Sequence, residues 1–344
     1  MQVKTVYLHV GLHKTASSSF QRTCKKNRKR LLRKGLNYPL FACIEKPDVA
    51  IRNHSIPLYS AFSDDPASYH MNIKWKIQDL DRVNVNYLNV LDAALDGPGD
   101  VLLPGEDISS LSATALRRFS DALTSKGHRL SAIALVRSPY SFHCSALQQM
   151  IKAGRSFDFN NTAWITSQRQ TLERLLAVFG EAITIHPFSK ACSHRRGPVG
   201  FLFDQVGVKA LHRYSIVEAN QSKGNLAVRM QNLINQRYPA ILEGRLNESH
   251  YRIMSLLNNG QKFLLTSKEL ASCKEFLLQE NAYMGERFGP DYCDQEFPVV
   301  DELSAEVVMA SMVEVLRPIV NGILRESTPS SPMEGSDSME DGSG

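Results

Sequence analysis

The sequence predicts an α/β protein: a parallel sheet with helices on both faces. Apolar, β-branched runs recur along the chain, helix-forming stretches separate them, and one run, LSAIALV at residues 130–136, is apolar enough to be a fully buried strand. With 344 residues, 43% of them hydrophobic, the chain can bury a full core.

Residues 3–10, VKTVYLHV, end at Gly11 and form the first strand. Residues 17–34 lack Gly and Pro and open on serines able to cap, which predicts a helix ended by Gly35. Residues 36–38, ahead of Pro39, make a short strand. Residues 41–68 hold Pro47, Asn53, Pro57, Asp64, Asp65 and Pro66, an irregular excursion. A helix over 69–95 follows, and Asp96-Gly97-Pro98-Gly99 turns the chain into a strand at 101–103. Residues 112–125 read as helix, 130–136 as the buried strand, and 139–152 as a helix with Pro139 in its first turn. Leu172, Leu175, Leu176 and Phe179 repeat at helical spacing, 183–185 is a strand and 199–206 a helix. From Leu226 the chain reads as mostly helical, ending in an amphipathic stretch around Met309, Met312, Val313 and Leu316. One domain is expected over residues 1–326. Residues 327–344, STPSSPMEGSDSMEDGSG, have the composition of a disordered tail.

Net charge is +5, and the tail holds four acids with no Lys or Arg, so the body is more basic than the whole. A basic body suits an anionic ligand, polymer or membrane surface. Six scattered cysteines (Cys24, Cys43, Cys144, Cys192, Cys273, Cys293), with no CxxC pair, suggest neither a zinc site nor a disulfide framework and read as free thiols in a reducing compartment. The first apolar stretch is too short for a signal peptide and is interrupted by His9 and His13, so a cytoplasmic location is expected.

The most informative segment is residues 9–21, HVGLHKTASSSFQ. A strand runs into a tight loop that opens a helix through three serines. Unpaired amides and the dipole of a helix start attract anions. Thr15, Ser17, Ser18 and Ser19 add hydroxyls, and Lys14 adds a charge able to reach a phosphate or sulfonyl oxygen. A triphosphatase loop reads G-x-x-x-x-G-K-[ST]. Counted from Gly11, Ala16 stands at the second Gly and Ser17 at the Lys, while the lysine sits three residues earlier at Lys14.

These residues resemble the 5′-phosphosulfate-binding loop of sulfotransferases, whose cytosolic members carry P-K-S-G-T-T-W. They are closer to the H-x-G-x-H-K-T-G-T-T-S-x-Q form of bacterial sulfotransferase-like proteins. The resemblance implies a P-loop-like three-layer fold with a mostly parallel central sheet of about five strands. It implies 3′-phosphoadenosine 5′-phosphosulfate (PAPS) as donor, with no metal. It further implies that Lys14 meets the transferring sulfonyl group and that Thr15, Ala16, Ser17, Ser18 and Ser19 cradle the 5′-phosphate. Ala16 departs from the family Gly and strains the turn if that position needs positive φ.

After the buried strand comes RSPYSFHCS, residues 137–145. Sulfotransferases bind the donor's 3′-phosphate with an Arg at this strand end and a Ser eight residues on, which here are Arg137 and Ser145. A planar guanidinium suits that task. The strand at 101–103 runs into Pro104-Gly105-Glu106-Asp107, and strand carboxyl ends gather functional residues in such sheets. Heparan-type glycan sulfotransferases place a catalytic glutamate in a comparable stretch, which makes Glu106 the candidate general base and Asp107 its rival. His54 and His13 are further candidates, His54 toward the acceptor. Lys223 and Gly224 stand where other sulfotransferases bring a late basic loop onto the 3′-phosphate. The acceptor site is expected between residues 41–68 and the region after Glu106, and the bacterial form of the loop points to a carbohydrate or glycolipid acceptor.

Residues 22–34 carry eight cations. They read either as a solvated helix face that raises the potential for an anionic donor, or as a contact with acidic membrane or anionic glycan. No nucleic-acid module accompanies them. Two other classes stay open: an ATP-dependent small-molecule kinase on a variant loop, and a non-catalytic relic that still binds adenosine bisphosphate.

Overall fold

The computed structural model describes residues 3–12, 14–159, 161, 165–209, 214–218, 224–237, 241–242, 245–246, 261–302 and 304. His13, Lys223, the stretch around Met309 to Leu316 and the tail lie outside the described residues.

The chain begins with β1 (Thr5–Val10), α1 (Ser17–Lys26), α2 (Arg28–Leu32) and β2 (Leu36–Asn37). The helix expected over 17–34 is broken at Asn27. There the side-chain amide donates to the carbonyls of Thr23 and Ser215 at 2.8 and 2.9 Å, tying the helix end to a segment distant in sequence. Residues 41–68 are more regular than their turn formers suggested. They hold a small hairpin, β3 (Ala42–Cys43) with β4 (Lys46–Ala50), and then α3 (Ser55–Phe62). The helix expected over 69–95 is two helices, α4 (His70–Trp75) and α5 (Leu80–Asp96). Lys76 between them is left-handed at φ 52°, and Asp79 caps the second by accepting from the Arg82 N–H.

The rest follows the expected alternation: β5 (Asp100–Gly105), α6 (Ala113–Thr124), β6 (Arg129–Val136), α7 (Pro139–Lys152), α8 (Arg169–Phe179) and β7 (Ile183–Pro187). Then come α9 (Phe188–Cys192), α10 (Gly197–Gln205) and α11 (Asn225–Arg237). A two-residue hairpin, β8 (Ile241–Leu242) with β9 (Arg245–Leu246), precedes α12 (Ser267–Phe288).

The central sheet is parallel throughout, in the order β2-β5-β1-β6-β7. Alternation along the strands divides its side chains between two cores. Val6, Leu8, Val10, Val101, Leu103, Ala132 and Ala134 face the layer of α3, α5, α6 and α8. Leu102, Ile133 and Leu135 face Phe20 and Cys24 of α1 and Leu202 and Phe203 of α10. A third cluster surrounds α7, where Tyr140, Cys144, Leu147 and Ile151 pack with Val228 of α11 and with Leu270, Cys273 and Leu277 of α12. The sheet therefore sits between two helical layers, as the sequence predicts. Connections from β1 and β6 leave in opposite directions across the sheet, and their carboxyl ends border the crevice where such folds place ligands.

The histidines buried in this frame include His9, His54 and His143. Burial pushes His9 and His143 down to about 4 and His54 to about 3. All three are neutral in the folded protein at neutral pH, while the unfolded chain takes up protons near pH 6.5. Their folded values are depressed, so stability is fully present above pH 6.5 and is lost as the pH falls toward 4, at up to about 1.4 kcal/mol per group per pH unit. The urea midpoint should be flat from pH 8 to 6.5 and fall below it. In His54→Phe, which keeps the aromatic packing, the fall should be shallower; an unchanged slope would remove His54 from this account.

Candidate functional site

The loop after β1 is held in a conformation the sequence does not favour. Lys14 and Ala16 are both left-handed, at φ 69° and 66°. Ala16 is the N-cap of α1, so the position where the resemblance has Gly does require positive φ, and this chain meets the requirement with a Cβ in place. Gly11 enters the loop, and its N–H donates to the Gly105 carbonyl of β5 at 3.1 Å. A Cβ on Gly11 would stand 2.5 Å from Ser17 Oγ and 2.9 Å from Glu106 Cα, so only glycine lets the loop lie this close to the end of β5.

The first intrahelical bond of α1 runs from the Phe20 N–H to the Ala16 carbonyl, so the helix's own ladder begins one turn in. No side chain caps this end, and its first turn holds no acid. The neighbouring helices differ. Ser112 caps α6 and Thr266 caps α12 in a capping box. The amino end of α7 is filled by Asp294, whose carboxylate accepts from the Ser138 hydroxyl at 2.5 Å and the Tyr140 N–H at 2.6 Å.

Two of the expected hydroxyl donors point elsewhere. Thr15 is buried and its hydroxyl donates to the Leu12 carbonyl at 2.5 Å. Ser17 is buried too, with its hydroxyl 3.2 Å from His9 Nε2. His9 Nδ1 lies 3.2 Å from the Ile133 carbonyl, which can only accept, so the proton sits on Nδ1 and Nε2 accepts from Ser17. What Thr15 and Ser17 can offer an anion is their backbone. Ser18 is half-exposed at the rim, and Ser19 is buried.

Lys14 lies beside this helix end. Its ammonium donates to Gln149 Oε1 of α7 at 3.3 Å. Partial burial holds its pKa below the usual lysine value, the charges of Lys152 and Arg137 push the same way, and Glu106 opposes them. Arg137 leaves β6 and donates from both Nε and Nη2 to the Lys14 carbonyl, at 2.9 and 2.7 Å. Its Nη1 donates to Ser141 at 3.1 Å, and its plane lies 4.2 Å from the centre of the Phe188 ring. The two expected anchors are therefore in direct contact. Ser141, Ser145 and Gln149 follow one another at four-residue spacing on α7, so Ser145 stands on the same helix face between the grip of Arg137 and the tether of Lys14. The serine that Arg137 touches in this state is Ser141, one turn before the predicted one.

Glu106 follows β5 directly, with its Cα against Gly11 and its charge felt by Lys14 and His9. It makes no side-chain cap to the 3-10 turn at Asp107–Ser110. Asp107 accepts from the Tyr69 hydroxyl at 2.6 Å, and its N–H donates to Ser55 Oγ at 2.8 Å. Residues 53–55 thus abut the Glu106 region. His54 is different. It is buried, stacked on Tyr38 at 4.2 Å, and donates from Nε2 to the Pro39 carbonyl at 2.9 Å, so it packs as a structural histidine rather than standing free as a base.

Sequence reasoning passed over His9, Ser141, Gln149 and Lys262. The charges of Arg137 and Lys262 both act on the Cys192 thiol, which puts them in one neighbourhood. Gly224 forms a β-bridge with Lys262, which ties the described end of the late Gly-containing segment to that lysine. Among the described residues no group of three or more His, Cys, Asp or Glu is placed to hold a metal ion, and no helix is long and apolar enough to cross a membrane.

No family model and no curated protein matches the chain. Among solved structures it is similar to a sulfotransferase from Alicyclobacillus acidocaldarius, at 15% identity and a TM-score of 0.37 over 73% of this chain and 100% of that one. It is also similar to the sulfotransferase domain from the curacin biosynthetic pathway, at 12% identity and a TM-score of 0.33 over 80% and 98%. The fold rests on the sheet order and the site on its side chains, not on these overlays.

Gly11→Ala should lower stability by about 1–3 kcal/mol, the cost of forcing an extra methyl into a packed site. Ala16→Gly should raise it by about 0.5–1 kcal/mol, the left-handed strain relieved less the added flexibility of the unfolded chain. Thermal midpoints of the two variants moving in the same direction would contradict this loop geometry.

Proposed function

We propose that this protein is a sulfotransferase that moves a sulfonyl group from PAPS to an acceptor hydroxyl. The observation that carries the reading is the amino end of α1, which has no side-chain cap and no acid in its first turn, with Lys14 at its side and Arg137 clamped to its loop. The positive end of a helix dipole and two cations converge there, an arrangement that suits a phosphate-linked anion. A kinase reading lacks support: the Walker lysine position is Ser17, whose hydroxyl is turned into the core toward His9. Nor does Ala16 favour a relic, because the left-handed turn is kept despite its Cβ.

In the proposed reaction the donor supplies a sulfonyl group on a good leaving phosphate. The acceptor oxygen attacks sulfur in line, a new S–O bond forms, the S–O bond to the phosphate breaks, and adenosine 3′,5′-bisphosphate leaves. Lys14 and the α1 amides hold the charge that builds on the sulfonyl and leaving oxygens. Glu106 takes the acceptor's proton. Arg137, with Lys262 nearby and Ser145 along α7, offers the groups for a second phosphate. The wall formed by residues 53–55 and Tyr69 faces the acceptor side, and the acceptor class that the loop's bacterial form favours is a carbohydrate or glycolipid.

Adenosine 3′,5′-bisphosphate should raise the thermal midpoint, and ATP with Mg²⁺ should do so less; the opposite order would exclude this reading. With labelled donor and a panel of glycan, lipid and phenol acceptors, Lys14→Ala should lose at least about a hundredfold in rate. Glu106→Gln should lose about 10²–10⁴-fold and flatten the acidic limb of the pH–rate profile. Asp107→Asn producing that flattening instead would move the base one residue along.

A further inference from the structure

Eight cations within residues 22–34 repel one another, and the loop chemistry does not use them. The fold does not scatter them around a helix. α1 and α2 bury Phe20, Cys24 and Leu31, which leaves the basic residues on the outer side. Lys25, Lys26, Arg28 and Lys29 line a cavity of about 500 Å³ beside Leu40 and Ser215. Arg30 and Arg33 border both this cavity and a second one of about 550 Å³, where Lys34 and Lys209 add further charge. The two cavities therefore adjoin along a ridge of two arginines.

Among the described residues little neutralises this cleft. Among the described residues none of its cations forms an ion pair with a carboxylate. Asp100 lines the second cavity, but one of its oxygens is held by the Thr5 N–H at 2.7 Å. Arg28 donates to the Tyr38 carbonyl, and Arg30 lies over the Tyr214 ring.

The cleft is also remote from the loop. It is bordered by Leu36 and Asp100, the first residues of β2 and β5, whereas the loop follows the last residue of β1. The ten residues of α1 alone span about 15 Å. At physiological ionic strength the screening length is about 8 Å. These charges are thus poorly placed to assist an anion at the other end of α1, which corrects the reading of them as support for the donor.

We infer that this cleft is a second binding site, and that its ligand is a linear anionic glycan bearing sulfate or carboxylate groups. Cations on both sides of a ridge, spread over two adjoining cavities, suit a chain with charge at intervals. The face of a bilayer is flat and does not enter a cleft. Single-stranded nucleic acid depends on aromatic faces on which bases stack. Of the two tyrosines that line the cleft, Tyr214 is only 4% exposed with its ring under Arg30, and Tyr7 is half-buried in β1, so among the described residues the cleft offers charge without a fully exposed stacking platform. The inference does not rest on the chemistry proposed for the loop.

The test is fluorescence titration of the whole protein with a labelled heparin octasaccharide. Binding should weaken as salt rises, and Arg30→Gln/Arg33→Gln should weaken it about tenfold, as expected for two lost ionic contacts. Lys29→Glu/Lys34→Glu, also at exposed positions, should weaken it further, with thermal melts showing that each variant is folded. Lys14→Ala should bind the octasaccharide like wild type while losing the effect of adenosine 3′,5′-bisphosphate on the thermal midpoint. Equal or tighter binding of single-stranded RNA of the same charge, or of phosphatidylserine vesicles, would overturn the assignment. So would indifference to both double variants, or displacement of the octasaccharide by adenosine 3′,5′-bisphosphate.

Discussion

The site depends on one polar contact: the guanidinium of Arg137 held against the carbonyl of Lys14. Lys14 and Ala16 occupy a region of backbone space that costs an L-residue about 1–2 kcal/mol each, so this loop is not the shape the chain would choose alone. A charge-assisted donor with two N–H groups on one carbonyl offsets part of that cost. The Thr15 hydroxyl on Leu12 and the Ser17 hydroxyl on His9 fix the loop from inside. The result is a lysine beside a helix end, arranged before any ligand arrives. Such preorganisation lets fixed dipoles act on developing charge without reorganising during the reaction.

Much of this was legible in the sequence. The alternation of apolar runs with helix formers gave the layers and the parallel sheet, because each pattern follows from which faces must be buried. Gly11, Lys14 and Arg137 were legible because glycine, lysine and arginine at strand ends have few structural uses that explain all three together. Less legible was the direction of short hydroxyl side chains. Ser17 and Ser18 are neighbours with the same chemistry, yet one is turned into the core by a histidine from β1 and the other is left at the rim. That difference depends on a tertiary neighbour eight residues upstream, and no local propensity encodes it.

The same reasoning accounts for the breaks in the expected helices. Residues 17–34 contain nothing that local rules treat as a breaker, but Asn27 can bond a carbonyl in its own helix and another nearly two hundred residues away. Asparagine competes for backbone partners in this way wherever a second segment is close enough. His54 shows the converse. A histidine among turn formers looked available for chemistry, and the fold buries it between Tyr38 and Phe41 at a distance that fits aromatic packing.

Asp294 has a quieter effect on recognition. The helices α1 and α7 begin on adjacent strands, β1 and β6, so two attractive ends for negative charge lie side by side. The Asp294 carboxylate occupies the second, while the first, next to Lys14, has no side-chain cap. Under the proposed function, a donor with unlike anionic groups at its two ends meets a helix end on one side and a guanidinium on the other, and its polarity of insertion follows from a side chain that need never touch it.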